Sequence, residues 1–116
     1  MHPDAVPEIS AAAAAALLGA GAVLVDVRED AEWSAVHAPD AVHAPMSAFA
    51  QHADRLPTDR RLVCICHVGA RSAIVAAALR RGGWDAVNLA GGMDAWIAAG
   101  LPVVTGDASG LAGPQA

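Results

Sequence analysis

The chain has 116 residues, enough for one domain with a single core and too few for two. Hydrophobic residues make up 55%, which excludes disorder of the whole chain. The formal net charge is -5 and all seven basic residues are arginines spread along the sequence, so a nucleic-acid partner is excluded and any bound anion must be held by local geometry.

Residues 1–8 contain Asp4 and Glu8 and no Arg or Lys. The apolar run that follows therefore lacks the positive start of a signal peptide, and Gly19, Gly21 and Asp26 interrupt it before it could span a membrane. A cytoplasmic protein with no membrane association is expected. "ISAAAAAALLGAG" reads as a helix with Ser10 as N-cap and Gly19 or Gly21 as its stop. Ala22 to Val27 is a continuous apolar run broken only by Asp26, the pattern of a strand buried on both faces.

"REDAEWSAV" reads as a short helix, and Ala41 to His43 as a short strand between Pro39 and Pro45. "MSAFAQHADRL" reads as one helix closing before Pro57. "RRLVCIC" is a second buried strand, "RSAIVAAALRRGGW" a helix stopped by Gly82 and Gly83, and "AVNLAGG" a strand entering a glycine turn. "MDAWIAAG" is the last helix, ended by Gly100 and Pro102. The expected organisation is a leader over 1–8, one domain over 9–104, and a flexible Gly/Pro-rich tail over 105–116. Strands alternating with helices at this spacing predict an α/β fold with a mostly parallel sheet covered by helices on both faces.

Ligands of such sheets bind at the carboxyl ends of strands. Two loops lie there, "DVRE" and "CHVGARS". In the second, Cys66 ends a strand and Ser72 falls in the first turn of the next helix. Backbone N–H groups of such a turn converge, and the helix N-terminus adds partial positive charge. Gly69 gives the turn its freedom, and Arg71 brings a full charge that faces either a bound anion or the loop carbonyls. A thiol in these surroundings is pushed toward thiolate, which makes Cys66 a candidate nucleophile.

The two cysteines, Cys64 and Cys66, stand two apart in an extended segment, a poor disulfide geometry that favours a reduced, intracellular chain. Cys64 reads as a core residue, with a resolving thiol as the alternative. Cys64, Cys66 and His67 have no second pair of ligands at a useful spacing, so no metal is expected.

"DVREDAEW", "HAPDAVHAP", "LVCICHVGARSA" and "VNLAGGMDAWIAAGLPVV" occur in the order and spacing of the rhodanese family, and the chain resembles its single-domain members over residues 9–104. The resemblance implies a five-stranded, three-layer α/β fold and a sulfurtransferase without a cofactor. In it Cys66 takes sulfane sulfur from thiosulfate or a similar donor, forms a persulfide, and passes the sulfur to cyanide or a thiol. By position, His67, Val68, Gly69, Ala70, Arg71 and Ser72 wrap the transferred sulfur. Asp26 and Arg28 match the DVR motif that fixes loops, His37 matches a packing histidine, and Gly91 and Gly92 match the turn before the last helix. Trp33, Trp84 and Trp96 read as core or helix-packing residues.

Val36 and Asp40 stand where the family commonly has glycine. The implied partners are a small sulfur-containing anion and a thiol acceptor, a thioredoxin-like protein among the candidates, with the chain a monomer or weak dimer. Two other readings compete: a non-catalytic rhodanese-like binding module, and a phosphatase or arsenate reductase of the same fold. Those oxyanion enzymes place one more residue between Cys and Arg, whereas "HVGA" supplies four here, a tighter loop suited to one sulfur atom.

Overall fold

The computed structural model describes residues 5–106. Its strands and helices are, in chain order, β1 (Glu8–Ile9), α1 (Ala11–Gly19), β2 (Val23–Asp26), α2 (Asp30–Ala35), β3 (Val36–His37), β4 (Val42–His43), α3 (Phe49–His52), β5 (Leu62–Ile65), α4 (Ala70–Arg81), β6 (Ala86–Leu89), α5 (Gly92–Ala98) and β7 (Val104–Thr105). Five strands form one sheet in the order β1-β6-β5-β2-β4, every pair parallel. β3 and β7 make a separate antiparallel pair.

Alternation along β5 divides the core. Leu62 and Cys64, with Cys66 just beyond, face a cluster containing Val75, Ala76 and Leu79 of α4, against which Met46, Phe49 and Trp84 pack. Val63 and Ile65 face the opposite layer, where Ala11 and Ala14 of α1 meet Met93 and Trp96 of α5. Both faces are covered, which is why the three central strands read as apolar runs, interrupted only by Asp26 in β2 and Asn88 in β6. Ser10 caps α1 as its sequence position predicts, its hydroxyl accepting the Ala13 N–H at 3.1 Å.

The expected helix over 46–56 is broken into a 3-10 turn (Met46–Ala48), α3, and a second 3-10 turn (Ala53–Arg55). The break has a local cause: Ala48 takes φ -129 and ψ 26, outside the helical region, and no side chain caps any of the three pieces. β1 starts at Glu8, inside the segment read as leader, and β7 reaches Thr105, inside the segment read as tail. The rest of those two segments, residues 1–4 and 107–116, lies outside the described residues.

The two departures from the family pattern separate physically. Val36 is extended, at φ -163, where a β-branched residue is at ease. Asp40 sits at φ 63, the left-handed region in which glycine is free and Asp is tolerated. Asp40→Gly is expected to leave the melting temperature unchanged or slightly raised. Asp40→Val should lower it by about 4–8 °C, on the order of 1 kcal/mol; a Val variant as stable as the parent would show that this turn carries no strain.

Candidate active site

Parallel pairing brings the carboxyl ends of β2, β5 and β6 side by side, and the loops that follow them meet. After β2, Asp26 and Arg28 form a buried ion pair, with Nη2 2.8 Å and Nε 3.0 Å from the carboxylate oxygens. The guanidinium also donates to the carbonyls of Glu32 and Val36 at 3.3 and 2.6 Å, tying the middle of α2 and the residue that follows it to the strand. In the same segment Trp33 stacks with two imidazoles, His37 at 3.7 Å and His43 at 4.5 Å between ring centroids. His37 Nδ1–H donates to the Trp33 carbonyl and His43 Nε2–H to the Arg28 carbonyl. His37 thus packs, as its position predicts, while Trp33 serves this stack and not the apolar core.

After β5 the chain turns through residues 66–69 into α4. Gly69 takes φ 107, which a side chain would oppose, and this aims its N–H back at the strand end. Cys66 Sγ accepts the Gly69 N–H at 3.1 Å and the Ser72 hydroxyl at 3.3 Å. Cys66 is 1% exposed at the floor of the loop, while Val68 at the rim is 58% exposed. Burial pushes the Cys66 thiol up, but donation by the Ser72 hydroxyl and N–H and by the Gly69 and Val68 N–H groups outweighs it, and the thiol is held below its ordinary value. Cys64, two residues back, has the opposite fate: burial, and secondarily the charge of Cys66, push it up to about 12.

One thiol is activated and the other silenced. Iodoacetamide should therefore label Cys66 alone near neutral pH. Because a depressed value means that thiolate appears earlier as pH rises, the labelling rate should reach half its maximum at a lower pH than that of an unstructured cysteine peptide labelled alongside. A midpoint at or above the peptide's, or equal labelling of Cys64, would contradict the donor arrangement.

Arg71 does neither of the two things expected from sequence. Its end-on fork is turned to a carboxylate instead: Nη1 and Nη2 lie 2.7 and 2.8 Å from the two oxygens of Glu32. Glu32 also accepts the Glu29 N–H at 3.1 Å. The hydrogen bonds from Arg71, foremost, hold the Glu32 carboxyl well down, to about 2, and the pair stays ionised at any working pH. Lowering of the Cys66 thiol thus rests first on N–H and O–H donors, with the paired Arg71 guanidinium a lesser contributor.

The third loop, after β6, closes the site from below. Met93 N–H and Asp94 N–H at the start of α5 donate to the carbonyls of Cys66 and His67, at 2.7 and 3.2 Å. Such contact needs bare backbone at Gly92: a Cβ there would lie 2.3 Å from the Cys66 oxygen. Asn88 Nδ2 donates to the Gly69 carbonyl at 2.9 Å and to the Glu8 carboxylate of β1. His67 Nε2 meets Asp94 Oδ1 at 3.0 Å on the exposed rim.

The structure therefore brings the N–H groups of Val68, Gly69 and Ser72 and the Ser72 hydroxyl to the Cys66 sulfur, turns the side chains of His67 and Arg71 to Asp94 and Glu32, and keeps Asp26 and Arg28 bonded within the neighbouring 26–36 segment. Sequence reasoning missed Glu32, Asn88 and Asp94. Asn88 left a readable trace, a lone amide within the buried strand "AVNL"; Glu32 and Asp94 sit in ordinary polar helix turns and left none. Among the described residues no three His, Cys, Asp or Glu side chains are grouped as metal ligands, and no helix is long and apolar enough to cross a membrane.

A doubly covered parallel sheet with a cysteine at the head of a four-residue N–H cradle is the architecture of rhodanese-like domains, and comparison with known proteins agrees. The Rhodanese-like domain model matches residues 10–99, and the chain belongs to that family. It is 41% identical to a sulfurtransferase of Allochromatium vinosum over 83 residues, 71% of this chain and 78% of that one. It is 32% identical to the thiosulfate sulfurtransferase GlpE of Actinobacillus pleuropneumoniae, over 73% of this chain and 80% of that one. The crystal structure of a rhodanese-related protein from Thermoplasma volcanium superposes with a TM-score of 0.79 at 31% identity, covering 84% of this chain and 97% of that one. These relatives support a rhodanese-like sulfurtransferase.

Proposed function

We propose that the protein transfers sulfane sulfur through a persulfide on Cys66. The observation that carries this reading is the Cys66 sulfur with a backbone N–H at 3.1 Å and a hydroxyl at 3.3 Å, donors that favour a thiolate and would equally hold a persulfide anion. The Cys66 thiolate attacks the outer sulfur of a donor such as thiosulfate. A new S–S bond forms at Sγ, the donor's S–S bond breaks, and its electron pair leaves with sulfite.

In the second half, cyanide or the thiolate of an acceptor attacks the outer sulfur, and Cys66 departs as thiolate into the same cradle. The acceptor class is a thiol, on a small molecule or a thioredoxin-like protein. The protein works in the reducing cytoplasm as a monomer or weak dimer; the two unpaired cysteines support that setting.

Intact mass tests the reading. Incubation with thiosulfate, or with a panel of other sulfane donors, should add about 32 Da, one sulfur, which cyanide or a thiol then removes. A protein that gains no mass with any donor would be a rhodanese-like binding module instead.

A further inference from the structure

Three basic side chains border the loop, and a carboxylate holds each of them. Arg28 is taken by Asp26, Arg71 by Glu32 through both oxygens, and His67 by Asp94. Glu29 adds a further carboxylate, bonded to the N–H and hydroxyl of Ser47. With the Asp26–Arg28 pair buried and neutral, three carboxylates at the rim, Glu29, Glu32 and Asp94, face one permanent cation and one imidazole, and the rim is negative before Cys66 ionises. What remains for an anion is the cradle of N–H dipoles, sized for one charged atom.

The His67–Asp94 contact is largely exposed, 59% and 63%, and solvent screens it. Glu32 is different, because it is two-thirds covered and engages its partner bidentately. It cancels the one full positive charge that the loop itself contributes. Beside it a groove of about 210 Å³ runs between α2 and α5, with Ala35, Val36 and Ile97 as its apolar wall and Glu32 and His67 at the loop end. Ile97 is 50% exposed there.

Resting on the sulfurtransferase reading, we propose that Glu32 determines donor specificity. By neutralising Arg71 it turns the site against donors whose leaving group carries a second negative charge, and toward donors bearing one charged sulfane sulfur on an uncharged organic arm. Thiosulfate is then a poor donor, and an alkyl thiosulfonate a good one. The chemistry is matched: with methanethiosulfonate the Cys66 thiolate takes the outer sulfur and methanesulfinate leaves with the electron pair, as sulfite does from thiosulfate. Only the leaving group's charge and its methyl arm differ.

The test is the rate at which Cys66 gains one sulfur from each donor. Methanethiosulfonate should load the parent protein at least about tenfold faster at low ionic strength, and Glu32→Gln should narrow that ratio about tenfold by speeding thiosulfate. Salt near 1 M, where the Debye length is about 3 Å, should narrow it in the unmodified protein, which keeps the question answerable if the variant does not fold. Alkylation gives an arm independent of sulfur transfer: iodoacetate relative to iodoacetamide at Cys66 should gain about tenfold in Glu32→Gln. A folded Glu32→Gln protein with unchanged donor and alkylation ratios would overturn the assignment, as would a donor ratio indifferent to salt. If no donor loads Cys66, the sulfurtransferase reading falls, and with it the donor assignment; the alkylation ratio still reports whether Glu32 sets the charge at the thiol.

Discussion

Gly92→Ala is expected to lower the melting temperature by roughly 15 °C and to abolish the selective reactivity of Cys66. The added Cβ would stand 2.3 Å from the Cys66 oxygen and 2.6 Å from the carbonyl carbon and oxygen of His67. Those neighbours are backbone and cannot swing aside, and the residue sits at φ 57, where a side chain is strained even in open space. Relief requires α5 to withdraw from the loop. That withdrawal breaks the hydrogen bonds from Met93 and Asp94 to the two carbonyls, and the turn that aims the Gly69 N–H at sulfur loses its floor. Steric clash, strain and two lost hydrogen bonds together cost about 3 kcal/mol, and each kcal/mol moves the melting point of a domain this size by about 4–8 °C. Calorimetry and iodoacetamide labelling measure the two effects, and a Gly92→Ala protein that matches the parent in both would refute the close-packing argument.

The second large effect comes from two serine substitutions, two residues apart, that should do opposite things. Cys66→Ser places an oxygen where two donors already point, the Gly69 N–H and the Ser72 hydroxyl, so the buried hydroxyl is satisfied and the fold should hold to within a few degrees. Sulfur transfer should fall by at least about 10³, because a hydroxyl is neither ionised at neutral pH nor able to form a persulfide. Cys64→Ser puts its hydroxyl into the apolar layer among Val25, Leu62 and Val75. That burial costs about 1–3 kcal/mol, a drop on the order of 10 °C, while transfer survives in the folded fraction. Loss of transfer in Cys64→Ser without loss of stability would instead give Cys64 a part in the reaction.

The readable portions of this molecule are those whose cause is local. β2, β5 and β6 announce themselves as apolar runs because each is buried on both faces, and α1 through the Ser10 cap. The loop from Cys66 to Ser72 was legible because its residue types each answer a backbone need of the turn, Gly69 most clearly. β1 and β7 were not, since each is two residues long and owes its existence to a partner far along the chain, Asn88 and Leu89 for one, Val36 and His37 for the other. The role of Arg71 was misjudged for a similar reason. Its carboxylate partner lies 39 residues away on α2, and nothing near residue 71 reveals that the guanidinium is already paired.

The pairing of Glu8 with Asn88 has a consequence for how the protein comes into being. The sheet joins strands from opposite ends of the chain, and the amide that supports the Gly69 carbonyl also reaches the Glu8 carboxylate. During synthesis, β2, β4 and β5 can emerge and pair while Cys66 is still an ordinary thiol. Its cradle gains a floor only once residues 88–94 have arrived, nearly at the end of the domain. Chains that end before Asn88 are thus expected to carry the nucleophile without that support, and the reactivity of one sulfur becomes a gauge of whether β6 and α5 have docked beneath its loop.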